Sequence, residues 1–376
     1  MNASVKIESN DTLDEWAVRC RFWLAEYDAS IPKRKRRERQ AHPLILTGNG
    51  MSMRVNLGAL VIRDGLTHYP QEFKEHRLFP GDIENPPRII MVDGSGEITL
   101  DAIDWLAEQK IGLIRLKWNG GFTSVITSGG QAADPEKVRW QYQTRHDPAA
   151  RVQFALGLLK AKARNTLETL EGWVPQSQFW NKSRENITDG LTRLENNPPE
   201  TLPDLLGIEG AIATAYFRAW QGVQLTWNAT SRHPIPDDWR EYRSRTALRD
   251  EKPQNRHATH PINAMLNYVY GMLAARKQVE AMAEGYDPML GIVHDRRKAV
   301  RGITPAYALD IMEPDRPIAD RRVLELMREQ ELSAMDFTVT AKGTCRLSPE
   351  LARAVSAQIT GSLRLIGPGP SDATQS

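Results

Sequence analysis

The chain has 376 residues, 40% of them hydrophobic and 26% charged, enough for two domains or for one large domain with an appendage. A formal charge of +2 and only two cysteines, Cys20 and Cys345, without metal-motif spacing, argue against a disulfide framework and a cysteine-rich zinc site. There is no apolar run of about 18 residues or more and no charged-then-apolar leader, so neither a membrane span nor secretion is expected.

The first 41 residues read as a basic N-terminal extension. Thr12 to Tyr27 has an amphipathic pattern in which Leu13, Trp16, Phe22, Trp23 and Leu24 are candidates for packing. Pro32 and the run Lys33-Arg-Lys-Arg-Arg-Glu-Arg39 then end it. From residue 42 to 130 short apolar runs alternate with glycine-containing turns: Leu44-Ile-Leu46, Leu60-Val-Ile62 and Arg88-Ile-Ile-Met-Val92 beside Asn49-Gly50, Asp64-Gly65 and Asp93-Gly94. Leu100 to Gln109 is a helix candidate capped by Thr99, and Ile111 to Lys117 returns to strand character. This part is a small, mainly β domain.

Residues 131 to 348 read as helical. Val152 to Leu170 is a basic amphipathic helix, and Asn196-Asn-Pro-Pro-Glu200 is a break. Leu205 to Trp220 places Ile208, Ile212, Tyr216 and Ala219 on one buried stripe. Pro261 opens a helix running towards Glu284, with Ile262, Met265, Leu266, Val269 and Leu273 on its apolar face and Asn263, Asn267 and Tyr270 beside it. His294 follows in a loop, and Ile303 to Met312 is a further helix with Pro305 near its start. Residues 349 to 376 read as a tail, expected to be partly disordered.

Three features carry chemistry. Glu209 is placed in the first turn of its helix, where the helix dipole favours a carboxylate without any catalytic role. His294 ends an apolar segment, a position suited equally to a ligand or to a satisfied core imidazole. Asp310 and Glu313 interrupt residues that look buried, and a carboxylate drawn into a core must be hydrogen-bonded, paired or metal-bound. Arg316, three residues on, offers a salt bridge, so a structural ion pair and a divalent-metal site stand level on the local pattern. Basic clusters accompany these elements: Arg243, Arg245, Arg249, Lys252 and Arg256, then Arg296, Arg297, Lys298 and Arg301. Such local positive fields attract polyanions even when the total charge is near zero.

Four segments, in order, resemble the CRISPR-associated integrase family, the universal CRISPR adaptation endonucleases. They are Leu206-Gly-Ile-Glu-Gly210 with Tyr216, Asn263-Ala-Met-Leu-Asn-Tyr268, Gly285-Tyr-Asp-Pro-Met-Leu-Gly-Ile-Val-His294 and Ala308-Leu-Asp-Ile-Met-Glu-Pro-Asp-Arg-Pro317. The likeness runs from about His42 to about Leu347. It implies an α+β fold, a small N-terminal β-sandwich-like domain followed by a larger all-helical catalytic domain. It implies a divalent ion, Mg²⁺ or Mn²⁺, held by Glu209, His294 and Glu313, with Asp310 supporting activity. It further implies insertion of spacers into a CRISPR array by attack of a DNA 3′-hydroxyl, in the prokaryotic cytoplasm. The implied partners are double-stranded DNA (protospacer and repeat), a second copy bound through the N-terminal domain, and a small dimeric adaptation protein. Arg245, Arg249, Arg256, Arg296 and Arg297 are candidates for DNA-backbone contacts, and Asn263, Asn267 and Arg316 for support of the site. Three features depart from the family pattern: the long extension before His42, His260 where many relatives have an aspartate, and the basic loop Asp295 to Gly302. Two alternatives remain open, a mobile-element integrase of the same fold and a non-catalytic nucleic-acid-binding protein whose acids form ion pairs.

Overall fold

The computed structural model describes residues 15–31, 39–40, 43–67, 73–116, 122–126, 133–245, 258–294, 305–341 and 343–362. The basic run at 33–39 lies outside the described residues except for Arg39, as do Arg249, Arg256, Arg296 and Arg297.

The N-terminal half pairs six strands in one mixed sheet: β1 (Leu44–Asn56), β2 (Ala59–Arg63), β3 (Glu75–Leu78), β4 (Arg88–Ile98), β5 (Gly112–Leu116) and β6 (Phe122–Ile126). Their spatial order is β3-β2-β1-β4-β5-β6. The pairs β1–β4 and β4–β5 are parallel, and the remaining neighbours are antiparallel. Side chains alternate across the pleat. Ile45, Ile90 and Ile114 face the main helical core, while Leu46, Ile89 and Leu113 join a second cluster with Ala102, Trp105 and Leu106 of helix α2 (Leu100–Glu108). In place of the β-sandwich-like domain expected, the described strands of this half form a single sheet with helices on both faces. Two register shifts between Thr47 and Met51 let β1 stay paired with β4 along its length. They depend on glycine, because a Cβ on Gly94 (φ +76°) would lie 1.8 Å from the carbonyl oxygen of Gly48.

The C-terminal half is built from α3 (Pro135–His146), α4 (Pro148–Trp173), α5 (Trp180–Asn196), α6 (Leu202–Ala219), α7 (Pro261–Ala283), α8 (Ala306–Met312) and α9 (Arg316–Glu329). It is not purely helical: β7 (Phe337–Val339) and β8 (Cys345–Leu347) form a short antiparallel pair after α9. Asp134, Asp147 and Thr201 cap α3, α4 and α6 by accepting backbone N–H bonds, which explains why these helices start where they do. His260 caps α7 in the same way. Its Nδ1 accepts from the Ile262 N–H, and burial pushes the imidazole down to about 4, so the neutral ring that can accept is present at physiological pH.

Residues 15–30 and 349–362 form helices that pack into the core, where the sequence reads as an extension and a tail. Helix α1 (Glu15–Ser30) buries Ala17, Cys20, Trp23 and Tyr27, and α10 (Pro349–Ser362) buries Leu351, Ala352, Ala354 and Val355. The two helices pack on each other, and α10 also meets α7 and β1. Polar bonds fix both positions. Asp336 accepts from Arg19 Nε at 3.0 Å, Arg19 Nη2 at 2.6 Å, Trp23 Nε1 at 2.8 Å and the Ser333 N–H at 2.7 Å. Arg353 donates to Asp64 at 2.6 Å and to Thr47 at 2.7 Å, tying α10 to the sheet. Periodicity marks Phe22 and Trp23 of α1 for packing, but the partner of that face, α10, lies at the other end of the chain, beyond the reach of a local pattern. Asp336→Ala should cost about 3–5 kcal/mol, since it leaves the Arg19 guanidinium with only the Glu331 carbonyl and strands the buried Trp23 and Ser333 N–H groups. A urea titration showing a lower midpoint at unchanged slope would register it.

Candidate metal and DNA site

Glu209, His294, Asp310 and Glu313 meet where α4, α6, the loop after α7, and α8 converge. Helix α6 begins at Leu202, three residues before the sequence reading, so Glu209 lies in its interior and the dipole argument does not account for it. Glu313 follows α8 in a short 3₁₀ turn, Glu313–Asp315, and is buried. Pro314 and Pro317 both fall in first turns, of that 3₁₀ turn and of α9, where a missing N–H is harmless.

His294 sits in a loop that is gripped from two sides. Asp310 is fully buried and accepts the backbone N–H groups of Ile292 at 2.6 Å, Val293 at 3.0 Å and His294 at 2.8 Å. The same carboxylate lies 2.7 Å from His294 Nδ1, which leaves Nε2 4.0 Å from Glu313 Oε1. From the other side Arg151 donates to the carbonyls of Ile292 at 2.6 Å and Val293 at 3.1 Å, and Arg145 to that of Gly291. Gly291 is required by packing, since a Cβ there would stand 2.6 Å from both the Ala306 Cβ and the His294 carbonyl oxygen. Asp310 therefore pairs with the loop rather than with Arg316, and its oxygens are engaged in aiming the imidazole.

Lys162 of α4 had no place in the sequence reading, and it is the centre of the cluster. Its ammonium bonds Glu209 and lies 2.7 Å from Glu313 Oε2. Its spacing from Leu159 and Thr166 puts it on the face that α4 buries, the one cue that could have singled it out from Lys160 and Arg164. Arg316 holds the other Glu313 oxygen at 3.1 Å. Burial would raise the Glu313 carboxyl, but Arg316 and Lys162 more than offset it and hold the group below the ordinary carboxylate value. Burial alone would lower Arg316, and Glu313 beside it raises it instead.

The asparagine face of α7 also finds its explanation. Arg245 donates to Asn267 at 2.8 Å and approaches Asn263 at 3.4 Å. Asn263 in turn donates to the Ser244 carbonyl. The Arg245 and Arg316 guanidiniums lie 5.6 Å and 5.2 Å from the Tyr270 ring centre, and the Tyr270 hydroxyl donates to Asp320 at 2.7 Å. These arginines line a cavity of about 610 Å³ that Lys162, Glu209 and Tyr216 also line. A smaller cavity of about 190 Å³ adjoins it, lined by Lys162, Glu209, His294, Asp310, Glu313 and Arg316.

Asp320 is buried, and that burial pushes its carboxyl from an ordinary 3.8 up to about 6. A carboxyl raised on folding contributes its full stability below its unfolded value and loses it as pH rises through the folded value. Relative to Asp320→Asn, the wild type should therefore lose on the order of 3 kcal/mol between pH 4 and pH 7. Parallel denaturation curves across that range would show it; equal pH slopes would refute it.

Among the described residues no three histidine, aspartate or glutamate side chains stand together in metal-holding geometry; Glu209 and Glu313 converge through Lys162 instead. The donor types nonetheless fit a hard divalent ion with one imidazole. The 4.0 Å between His294 Nε2 and Glu313 Oε1 falls within the span of about 3 to 4.2 Å open to two ligands of one octahedral ion. No helix is long and apolar enough to cross a membrane among the described residues.

Fold and site together define an α+β protein with a carboxylate–imidazole cluster opening onto an arginine-lined cavity. Residues 44–360 match the sequence model of the family described as CRISPR associated protein Cas1. The chain belongs to that family. It is 31% identical over 273 residues to the CRISPR-associated exonuclease Cas4/endonuclease Cas1 fusion of Rhodospirillum rubrum, covering 71% of this chain and 43% of that one. The chain thus spans less than half of that fusion, and the corresponding fusion of Geobacter sulfurreducens is matched over the same 43%. A CRISPR-associated endonuclease Cas1 of Archaeoglobus fulgidus is 24% identical, with 84% of this chain and 86% of that one covered. Among solved structures, a casposase bound to integration product superposes with a TM-score of 0.65 at 26% identity, covering 86% and 82%. The Cas6-RT-Cas1–Cas2 complex shares the fold at a TM-score of 0.63 and 19% identity, covering 88% and 33%.

Proposed function

We propose that this chain is the integrase of CRISPR adaptation, joining the 3′-hydroxyl of a new DNA segment to a phosphodiester at the edge of a repeat. The carrying observation is the convergence of Glu209, His294 and Glu313, far apart in sequence, beside a cavity lined by Arg245 and Arg316. Family membership and the likeness to a casposase bound to integration product support the same reaction type. In this reaction one P–O bond forms as another breaks, so no nucleotide cofactor is needed.

Each residue has a part that follows from its contacts. Asp310 fixes the His294 ring so that Nε2 faces Glu313, the arrangement that orients a ligating histidine. Glu209, Glu313 and His294 Nε2 are the groups that would hold Mg²⁺ or Mn²⁺. When bound, such an ion supplies Lewis-acid withdrawal of charge from the scissile phosphate and stabilises the leaving 3′-oxygen. Arg245 and Arg316, preset by Asn267, Tyr270 and Glu313, position phosphate in the larger cavity without reading bases. Double-stranded DNA, a second copy bound through the β domain and a small dimeric adaptation protein belong to this proposal; one structural neighbour is a complex of Cas1 with Cas2.

Incubation of the protein with a short duplex and a repeat-bearing plasmid should give joined product in Mg²⁺ or Mn²⁺ and none after chelation. Joining that survives chelation would sink the reading. A second reading, integration of a mobile element's own ends, is favoured by the casposase likeness. It predicts equal joining to a plasmid lacking the repeat, whereas adaptation predicts a strong preference for the repeat edge.

A further inference from the structure

We propose that Lys162 is a displaceable counter-cation. Its ammonium holds Glu209 and Glu313 together until a divalent ion takes both carboxylates, and it then turns into the larger cavity to meet a DNA phosphate. The inference rests on the metal-dependent reading above and adds to it a residue with two successive partners.

Position is the first argument. Lys162 bonds both glutamates, and no other cation among the described residues does so. It lines both cavities, the small one that contains His294, Asp310 and Glu313 and the large one that contains Arg245 and Tyr270. A four-carbon stem ending in a compact ammonium can rotate from one side of such a wall to the other, whereas a guanidinium held in a fixed fork cannot. Arg316 illustrates the contrast, since it is pinned between Glu313 and the Tyr270 ring.

Charge is the second argument. Among the charged side chains on the two glutamates and the loop carboxylate, Glu209, Asp310 and Glu313 set three negative charges against Lys162 and Arg316, leaving one negative charge in excess. Entry of a divalent ion turns that into one positive charge, which matches the single negative charge of a phosphodiester. The ammonium is then repelled from the smaller cavity by the ion and drawn to the larger one by phosphate. Without Lys162, Glu209 would lose its bonded cation and Glu313 would keep Arg316 alone, so the two glutamates would bind a divalent ion more readily.

The test is Mn²⁺ titration of the full chain by calorimetry, without DNA, for the wild type, Lys162→Met and Lys162→Gln. Both variants should bind Mn²⁺ at least about tenfold more tightly, because no resident cation must leave. If Lys162→Met fails to fold, Lys162→Gln decides, since its amide can still bridge the two carboxylates without charge. Unchanged or weaker Mn²⁺ binding would overturn the proposal. Glu209→Gln and His294→Ala run alongside. If these leave Mn²⁺ binding untouched, the metal reading itself fails and the proposal falls with it. If they abolish binding while the Lys162 variants do not tighten it, the counter-cation idea alone is wrong. DNA binding supplies a second readout. In Mn²⁺, the log–log salt dependence for Lys162→Gln should be shallower than wild type by about one counterion. An unchanged slope would overturn the phosphate contact.

Discussion

Glu209→Ala should lower strand joining by between about a hundredfold and a thousandfold, the range seen when one charge-stabilising group is lost from a preorganised site. Fold and DNA binding should stay close to wild type. Glu209 borders the cavity with about a quarter of its side chain exposed, and Lys162 keeps Glu313 as a partner when it is gone. The lost interaction is therefore one that matters while phosphate is reacting, and little of the core depends on it. The non-catalytic reading makes the opposite prediction, a less stable protein with DNA processing untouched. Measuring joining rate, duplex affinity and urea midpoint on one preparation separates the two, and a variant that joins at the wild-type rate would end the integrase assignment.

Asp310→Ala should be the more damaging change to the molecule itself, costing about 3–5 kcal/mol. It would leave three backbone N–H groups and the His294 Nδ1 side without the buried carboxylate that is their common acceptor. Arg151 and Arg145 would still hold the loop by its carbonyls, so the loop should loosen rather than unravel. Asp310→Asn keeps the shape and one acceptor oxygen, and should fold better while still losing about ten- to a hundredfold in Mn²⁺ affinity through a misaimed imidazole. Thermal denaturation paired with Mn²⁺ titration checks both parts. Wild-type Mn²⁺ affinity in Asp310→Asn would show that the carboxylate serves only the backbone.

The contrast between Asp310 and Glu313 shows how far a local pattern reaches. Both were recognisable as acids among buried residues, and the need for partners follows from the cost of burying charge. Which partner each takes was not recognisable. Glu313 did find Arg316, the cation three residues on, as helix spacing allows. Asp310 instead took a loop sixteen residues upstream, because the chain between α7 and α8 brings its free N–H groups back onto α8. The paired asparagines of α7 are similar: their face was visible, but Arg245 as its occupant was decided by a segment that has no periodicity to read.

From the sequence alone came the α+β class, the β-rich first half, the helices with strong apolar stripes, and, through the four ordered segments, the family and the residues Glu209, His294, Asp310 and Glu313. Tertiary structure decided that helices α1 and α10 belong to the core, that the β half is one mixed sheet, and that Lys162 joins the two glutamates across separations of 47 and 151 residues. The division has a physical cause. Periodicity, caps and prolines act over one or two turns and are written locally, whereas the convergence of α6 and the turn after α8 on the ammonium of α4 is set by how whole helix faces pack.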